Sequence, residues 1–238
     1  MTNQEHKSRR LIPILYEDEI SVVFDKPPGL VVFSDHKGVK SLDDIVNEQY
    51  FKSREPNKSQ GVNQPPPYHL HPCHRLDKDT TGVILFAKGK KNQQLLMREF
   101  HLKRIKKRYI AFIHGRLKSL QGEIKGFIKD VYKNKYAKNS QGDWGITRYK
   151  VSEQKKKFCV VEVTPVTGRT NQIRIHFVQM GNPLVGEDKY AFRKDFELRF
   201  KRAALHSHFL EWVHPLIRKS VKVYSPLPKD MVEFLQNN

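Results

Sequence analysis

The apolar positions of this chain fall in many short runs separated by Gly, Pro, Asn and Asp, and few stretches keep a helical spacing. Residues 14–16 and 20–24 are β-branched and aromatic runs joined by the acidic turn Glu17-Asp18-Glu19, which predicts a pair of strands. Pro27-Pro28-Gly29 breaks the chain before Leu30-Val31-Val32-Phe33, read as a further strand. Residues 83–87, 109–113, 158–163, 205–213 and 221–224 carry the same strand composition. Helices are fewer. Ser41, with Asp44 following it at capping-box spacing, predicts a helix through Ile45, Val46 and Tyr50. Residues 92–100 place Leu95, Leu96 and Phe100 at helical spacing, and residues 228–236 predict a terminal helix. Gly168-Arg169-Thr170 opens another, with Thr170 as N-cap, Ile173, Phe177 and Met180 on one face, and Gly181 as C-cap before Pro183. Arg174 falls off that apolar stripe and is expected to face a partner. Between Gly115 and Gln154, recurrent Gly and Lys with Trp144 predict hairpins on a basic surface, and the proline-rich residues 53–68 read as a loop. Short strands with few helices and no regular βαβ alternation predict an α+β fold built on a mostly antiparallel sheet.

Length and charge narrow what such a sheet is for. At 238 residues the chain suits one domain or two closely fused halves. Cys73 and Cys159 are the two cysteines, so no disulfide framework is implied. Residues 1–10 are polar and basic without an apolar core, and no run approaches ~18 apolar residues, which predicts a cytoplasmic protein with no membrane contact. The 44 Lys and Arg against 25 Asp and Glu leave a formal charge of +19. Such an excess repels itself unless a polyanion answers it, and without a basic amphipathic helix the partner expected is nucleic acid rather than a membrane surface. The densest cationic run, His101 to Arg108, leads directly into Tyr109, placing phosphate-binding groups beside an aromatic ring.

The turn His74-Arg75-Leu76-Asp77-Lys78-Asp79-Thr80-Thr81-Gly82 stands immediately before the apolar run 83–87, so its polar side chains sit at the mouth of a buried strand. Asp77, Asp79, Thr81 and Gly82 match the opening of a calcium loop, but Lys88 occupies the position that needs a bidentate Glu and would repel the ion. Asp77 is then either a backbone-capping residue of an Asx turn or a working carboxylate. His69, His71, Cys73 and His74 raise the question of zinc. Tetrahedral sites draw on two separated ligand pairs and the other cysteine is distant, so a hydrogen-bonded, RNA-facing histidine cluster without metal is the reading favoured.

His74-Arg75-Leu76-Asp77 followed by Thr80-Thr81-Gly82 resembles the signature of the Rlu-type (RluA family) RNA pseudouridine synthases, which isomerise uridine in ribosomal or transfer RNA. Lys107-Arg108-Tyr109 resembles that family's Lys-x-Tyr block. Thr167-Gly168-Arg169-Thr170-Asn171-Gln172-Ile173-Arg174 is similar to its Thr-Gly-Arg-Thr-x-Gln-Ile-Arg block. Lys26-Pro27-Pro28-Gly29-Leu30 and Leu205-His206 also stand where the family has such residues, so the likeness runs from about Ile14 to the C-terminus. Asn171 replaces the usual His, Glu187 the usual Asp, and Thr81 the common Ser.

The resemblance implies two halves sharing one curved sheet around a central RNA-binding cleft. It implies a catalytic domain over residues 14–238, a basic tail over 1–13, a loop insertion at 53–68, and no separate N-terminal RNA-binding domain. A monomer without metal or cofactor is expected. Isomerisation breaks the bond from the base nitrogen to ribose carbon 1′, turns the uracil, and joins its carbon 5 to the same sugar. One carboxylate suffices, attacking carbon 1′ or removing a sugar proton, and the resemblance makes it Asp77. A hydrolytic glycosidase would need a second carboxylate, for which Asp79 is the near candidate. The uridine must leave its stack. Tyr109 would then receive the base, Arg75 would fill the vacated space, and Leu205 would wall the pocket. Lys107 and Arg169 would contact substrate, and Arg174 would hold Asp77 by a two-pronged bond. The alternative is a non-catalytic RNA-binding assembly protein that keeps the fold.

Overall fold

The computed structural model describes residues 11–33, 38–52, 68–129, 142–191 and 196–238. Its strands are β1 (Ile14–Glu17), β2 (Ser21–Lys26), β3 (Leu70–Pro72), β4 (Thr81–Lys88), β5 (Lys106–His114), β6 (Gln121–Ile128), β7 (Asp143–Gln154), β8 (Phe158–Pro165), β9 (Leu205–Val213) and β10 (Ser220–Tyr224). They join in one sheet in the order β1-β2-β4-β9-β5-β8-β7-β6, with β3 beside β4 and β10 beside β9. Among the described residues the pairings are antiparallel except for β4 with β9, which run parallel through Thr81 opposite His206 and Gly82 opposite Ser207. The fold is α+β, as expected.

All of β4 is buried, and that is why its sequence is a continuous apolar run rather than an alternation. Ile84 and Phe86 join one core with Val22 and Phe24. Val83 and Leu85 point the other way, toward Val23, Leu210 and Trp212. Helix α1 (Leu42–Lys52) covers the first face with Leu42, Val46 and Tyr50. Helix α2 (Lys90–His101) covers the second with Leu96. Helix α3 (Gln172–Gln179) lies against β6 to β8, and α4 (Lys229–Asn237) packs Met231 and Phe234 on Phe112 and Phe158. Among the described residues no helix is long and apolar enough to cross a membrane.

Two local expectations are corrected. Residues 30–33 form no strand: the Val31 and Val32 carbonyls instead accept the first free N–H groups of α1, from Leu42 at 2.8 Å and Asp43 at 3.2 Å. The predicted capping box is present, Ser41 N–H to Asp44 Oδ2 at 2.8 Å and Asp44 N–H to Ser41 Oγ at 3.3 Å. Helix α3 begins later than Thr170, after Asn171 in the left-handed region at φ 55°, with no side-chain cap bond. The C-cap is Met180, and Gly181, at φ 81°, stands one position beyond the cap expected of it. Residues 53–67 of the expected loop, and 1–10 of the expected tail, lie outside the described residues.

Candidate active site

A cavity of about 900 Å³ opens where the turn before β4, the first residues of β5 and β9, and the segment 164–174 converge. Arg75, Asp77, Lys107, Tyr109, Arg169, Arg174 and Leu205 all line it, although they come from four separated stretches of chain. Lys103 and Arg108 add further cations, against the carboxylates of Asp77 and Glu211. The wall is therefore built to attract an anion.

The turn residues divide between holding the backbone and facing the cavity. His74 Nε2 accepts the Leu85 N–H at 3.0 Å, and burial takes His74 down to about 3, so it stays neutral in that bond. Cys73 is buried and its thiol is pushed up to about 12. The Thr80 N–H closes the turn on the Asp77 carbonyl at 3.1 Å. Thr81 Oγ1 meets His206 Nδ1 at 2.9 Å, while His206 Nε2 lies 3.2 Å from the Ser225 carbonyl. A carbonyl only accepts, so Nε2 carries the proton and Nδ1 accepts from Thr81. Burial lowers His206 to about 4, which keeps this tautomer uncharged. Gly82 sits at φ +104°, and a Cβ there would stand 2.2 Å from the Ser207 carbonyl oxygen. Only glycine lets β4 approach β9 this closely.

Two buried cations grip the same turn from behind. Lys26, 1% exposed, donates to the carbonyls of Pro27 at 3.0 Å, Lys78 at 2.7 Å and Thr80 at 2.9 Å. Burial draws its ammonium down to about 7, with Asp79 and Asp77 opposing the fall. The three acceptors match the three N–H donors that only the charged form possesses. Arg202 Nη1 donates to the Asp79 carbonyl at 3.1 Å and the Leu205 carbonyl at 3.3 Å, while its other nitrogens hold Asp230 at 2.8 and 3.0 Å. Thus the successive carbonyls of residues 78, 79 and 80 all point into buried cations. The turn is pinned on its far side.

The Asp77 carboxylate accepts no hydrogen bond from the described residues, and burial pushes it above the ordinary range while Arg174, Arg75, Lys26 and Lys189 pull it back. Tyr109 is buried and kept protonated by burial, with the Ser207 hydroxyl beside it working against the rise. The Lys107 ammonium is lowered by burial and has no ion-pair partner among the described residues. Arg75 is exposed to the cavity.

Arg174 corrects the expectation of a two-pronged bond to Asp77. Its fork closes instead on Glu187, Nε to Oε2 at 2.7 Å and Nη2 to Oε1 at 2.6 Å, and its Nη1 reaches Asn171 Oδ1 at 3.3 Å. Glu187 also accepts the N–H groups of Lys189 at 2.9 Å and Tyr190 at 3.2 Å. Burial alone would raise Glu187, but the Arg174 bonds and charge outweigh it and hold the carboxyl low. Arg174 thus faces Asp77 as a field source whose geometry another carboxylate fixes.

Lys26, Arg202, His206 and Glu187 were missed as site residues. Lys26 and His206 stand in blocks the motif comparison singles out, and Arg202 lies just ahead of Leu205-His206. A family model described as RNA pseudouridylate synthase matches residues 20–179. "Ribosomal large subunit pseudouridine synthase C" of Buchnera aphidicola is 30% identical over 94% of this chain and 69% of that protein. "Ribosomal large subunit pseudouridine synthase D" of Xanthomonas campestris is 32% identical over 97% of this chain and 71% of that protein. The solved structure titled "Human RNA Pseudouridylate Synthase Domain Containing 4" superposes with a TM-score of 0.73 at 23% identity, covering 94% of this chain and 91% of that one, which speaks to the fold.

Proposed function

Since this chain belongs to the RNA pseudouridylate synthase family, we propose that its cavity converts specific uridines of structured RNA, ribosomal or transfer, with Asp77 as the catalytic carboxylate. The observation that carries this reading is the state of Asp77: a carboxylate on a pinned turn, ringed by cations, with no described residue occupying its oxygens. A nucleophile or base must be free at its oxygens yet fixed at its backbone, and this arrangement supplies both.

In this reading the phosphates approach Lys107 and Arg169 while Arg75 enters the stack that the flipped uridine leaves. Tyr109 offers its ring to the base, and Leu205 closes the apolar side. Asp77 then either attacks carbon 1′ or removes a sugar proton, the bond to the base nitrogen breaks, and carbon 5 takes its place on the sugar. The proton from carbon 5 is lost to solvent and the freed nitrogen gains one, so the product equals the substrate in mass. Residues 14–238 act as the catalytic unit, a cytoplasmic monomer using side chains alone, with 1–13 as a basic tail and 53–68 as a loop insertion. Mapping pseudouridines in total RNA from cells with and without the gene tests this. Sites that vanish with the gene identify the target, and an unchanged map would overturn the reading.

A further inference from the structure

The outer face of the β6–β7 hairpin carries two aromatic rings that the cavity does not use. Phe127 and Trp144 are cross-strand partners and meet edge to face with centroids 5.0 Å apart, yet they stay 45% and 47% exposed. Strand alternation accounts for the exposure. Gly145, Thr147 and Tyr149 turn toward His176 and Phe177 of α3, so Trp144, Arg148 and Lys150 turn away from it. The backbone beneath the rings is fixed: Gln179 donates to the Phe127 carbonyl at 3.0 Å, and Arg169 to the Trp144 carbonyl at 3.4 Å. Arg169 itself lines the cavity, so the rings stand just outside its rim.

The charge around the pair decides what it fits. Lys125, Arg148 and Lys150 share the outer face and Arg169 borders it, with Glu123 and Asp143 as the opposing carboxylates. Those ion pairs are exposed, and exposed pairs are weak enough to be exchanged for phosphates. A net cationic rim around open aromatic faces suits an unpaired nucleic-acid strand, whose bases stack and whose phosphates bind, whereas a duplex hides its base faces. We propose that Phe127 and Trp144 form a stacking platform for an unpaired base of the RNA strand leaving the cavity, with Arg148, Lys150 and Arg169 on its phosphates. The proposal rests on the reading of the cavity as an RNA site.

Tryptophan emission tests it in the full chain, because the other tryptophan, Trp212, is completely buried. A short single-stranded oligouridylate should quench emission, while an abasic oligomer of equal length and charge should not. The quench should vanish in Trp144→Phe, which keeps a ring and hence most of the affinity. Phe127→Ala with Trp144→Ala should weaken oligouridylate binding by about tenfold. Equal quenching by the abasic oligomer, quenching by duplex alone, or wild-type affinity of the double variant would overturn the platform. Quenching in a protein that isomerises no RNA would leave the platform standing and remove the proposed activity. Intact isomerisation with an unquenched Trp144 would remove the platform alone.

Discussion

Replacing Glu187 by Gln should damage this protein twice, once in stability and once in the pH dependence of turnover. Glu187 is 1% exposed at its side chain and Arg174 12%, so their pair is held away from solvent. Removing one partner of a buried pair costs about 3–5 kcal/mol, and an amide that keeps one acceptor oxygen brings the loss toward the lower figure. For a domain of this size about 3 kcal/mol corresponds to a melting temperature roughly 6–12 °C lower. The second effect follows from where Arg174 turns when its partner weakens. Asp77 already feels its charge, so the guanidinium moves toward that carboxylate, lowers its proton affinity and occupies its oxygens. Single-turnover isomerisation should slow on the order of a hundredfold, with its acid limb moved to lower pH. Thermal denaturation and single-turnover pH profiles of wild type and Glu187→Gln measure both. A variant with the wild-type rate and acid limb, beside an inactive Arg174→Lys, would show that Arg174 serves Asp77 directly and that Glu187 is incidental.

Arg75→Met should move the acid limb to higher pH, because Asp77 is raised by burial and Arg75 is one of the cations limiting the rise; an unmoved limb in the pH profile would deny that coupling. The wild-type limb should itself fall above the ordinary 3.8, since the ionised carboxylate is lost as pH drops through the raised value. Lys26→Met leaves three carbonyls without their charged donor, and should lower stability by about 3–5 kcal/mol, read as a smaller urea midpoint with an unchanged slope. Tyr109→Leu should reduce turnover more than Tyr109→Phe, because leucine forfeits roughly 1–3 kcal/mol of stacking; equal loss in single-turnover rates would give the hydroxyl a chemical role.

Much of the fold is legible in the sequence wherever burial and hydrogen bonding agree. Residues 205–213 read as a strand and are β9, and the Ser41–Asp44 box caps α1, because in both cases local pattern and local bonding coincide. Residues 30–33 show the opposite case. Their apolar content reports the burial of Val32, but their carbonyls serve a helix instead of a ladder, which no composition reveals. The seven motif residues converge on one cavity because the blocks that carry them are spaced by strands of a single sheet. Pairing within that cavity was less readable. A sequence shows that Arg174 needs an anion without showing that the anion is Glu187, thirteen residues on and placed by the chain's return. Lys26 and Arg202 escaped for a related reason: residue type predicts a solvated cation, and only the folded turn presents a row of carbonyls to bind.

The most direct test of the central claim is release of tritium from RNA labelled at uracil carbon 5, measured for wild type and Asp77→Asn with RNA binding followed in parallel. Carbon 5 loses its hydrogen when it joins the sugar, so each turnover frees one label. Wild type should release it, while Asp77→Asn should bind the RNA comparably and release none, since phosphate contacts elsewhere supply most of the affinity. Release by Asp77→Asn at a measurable fraction of the wild-type rate would contradict the assignment of Asp77 as the catalytic carboxylate.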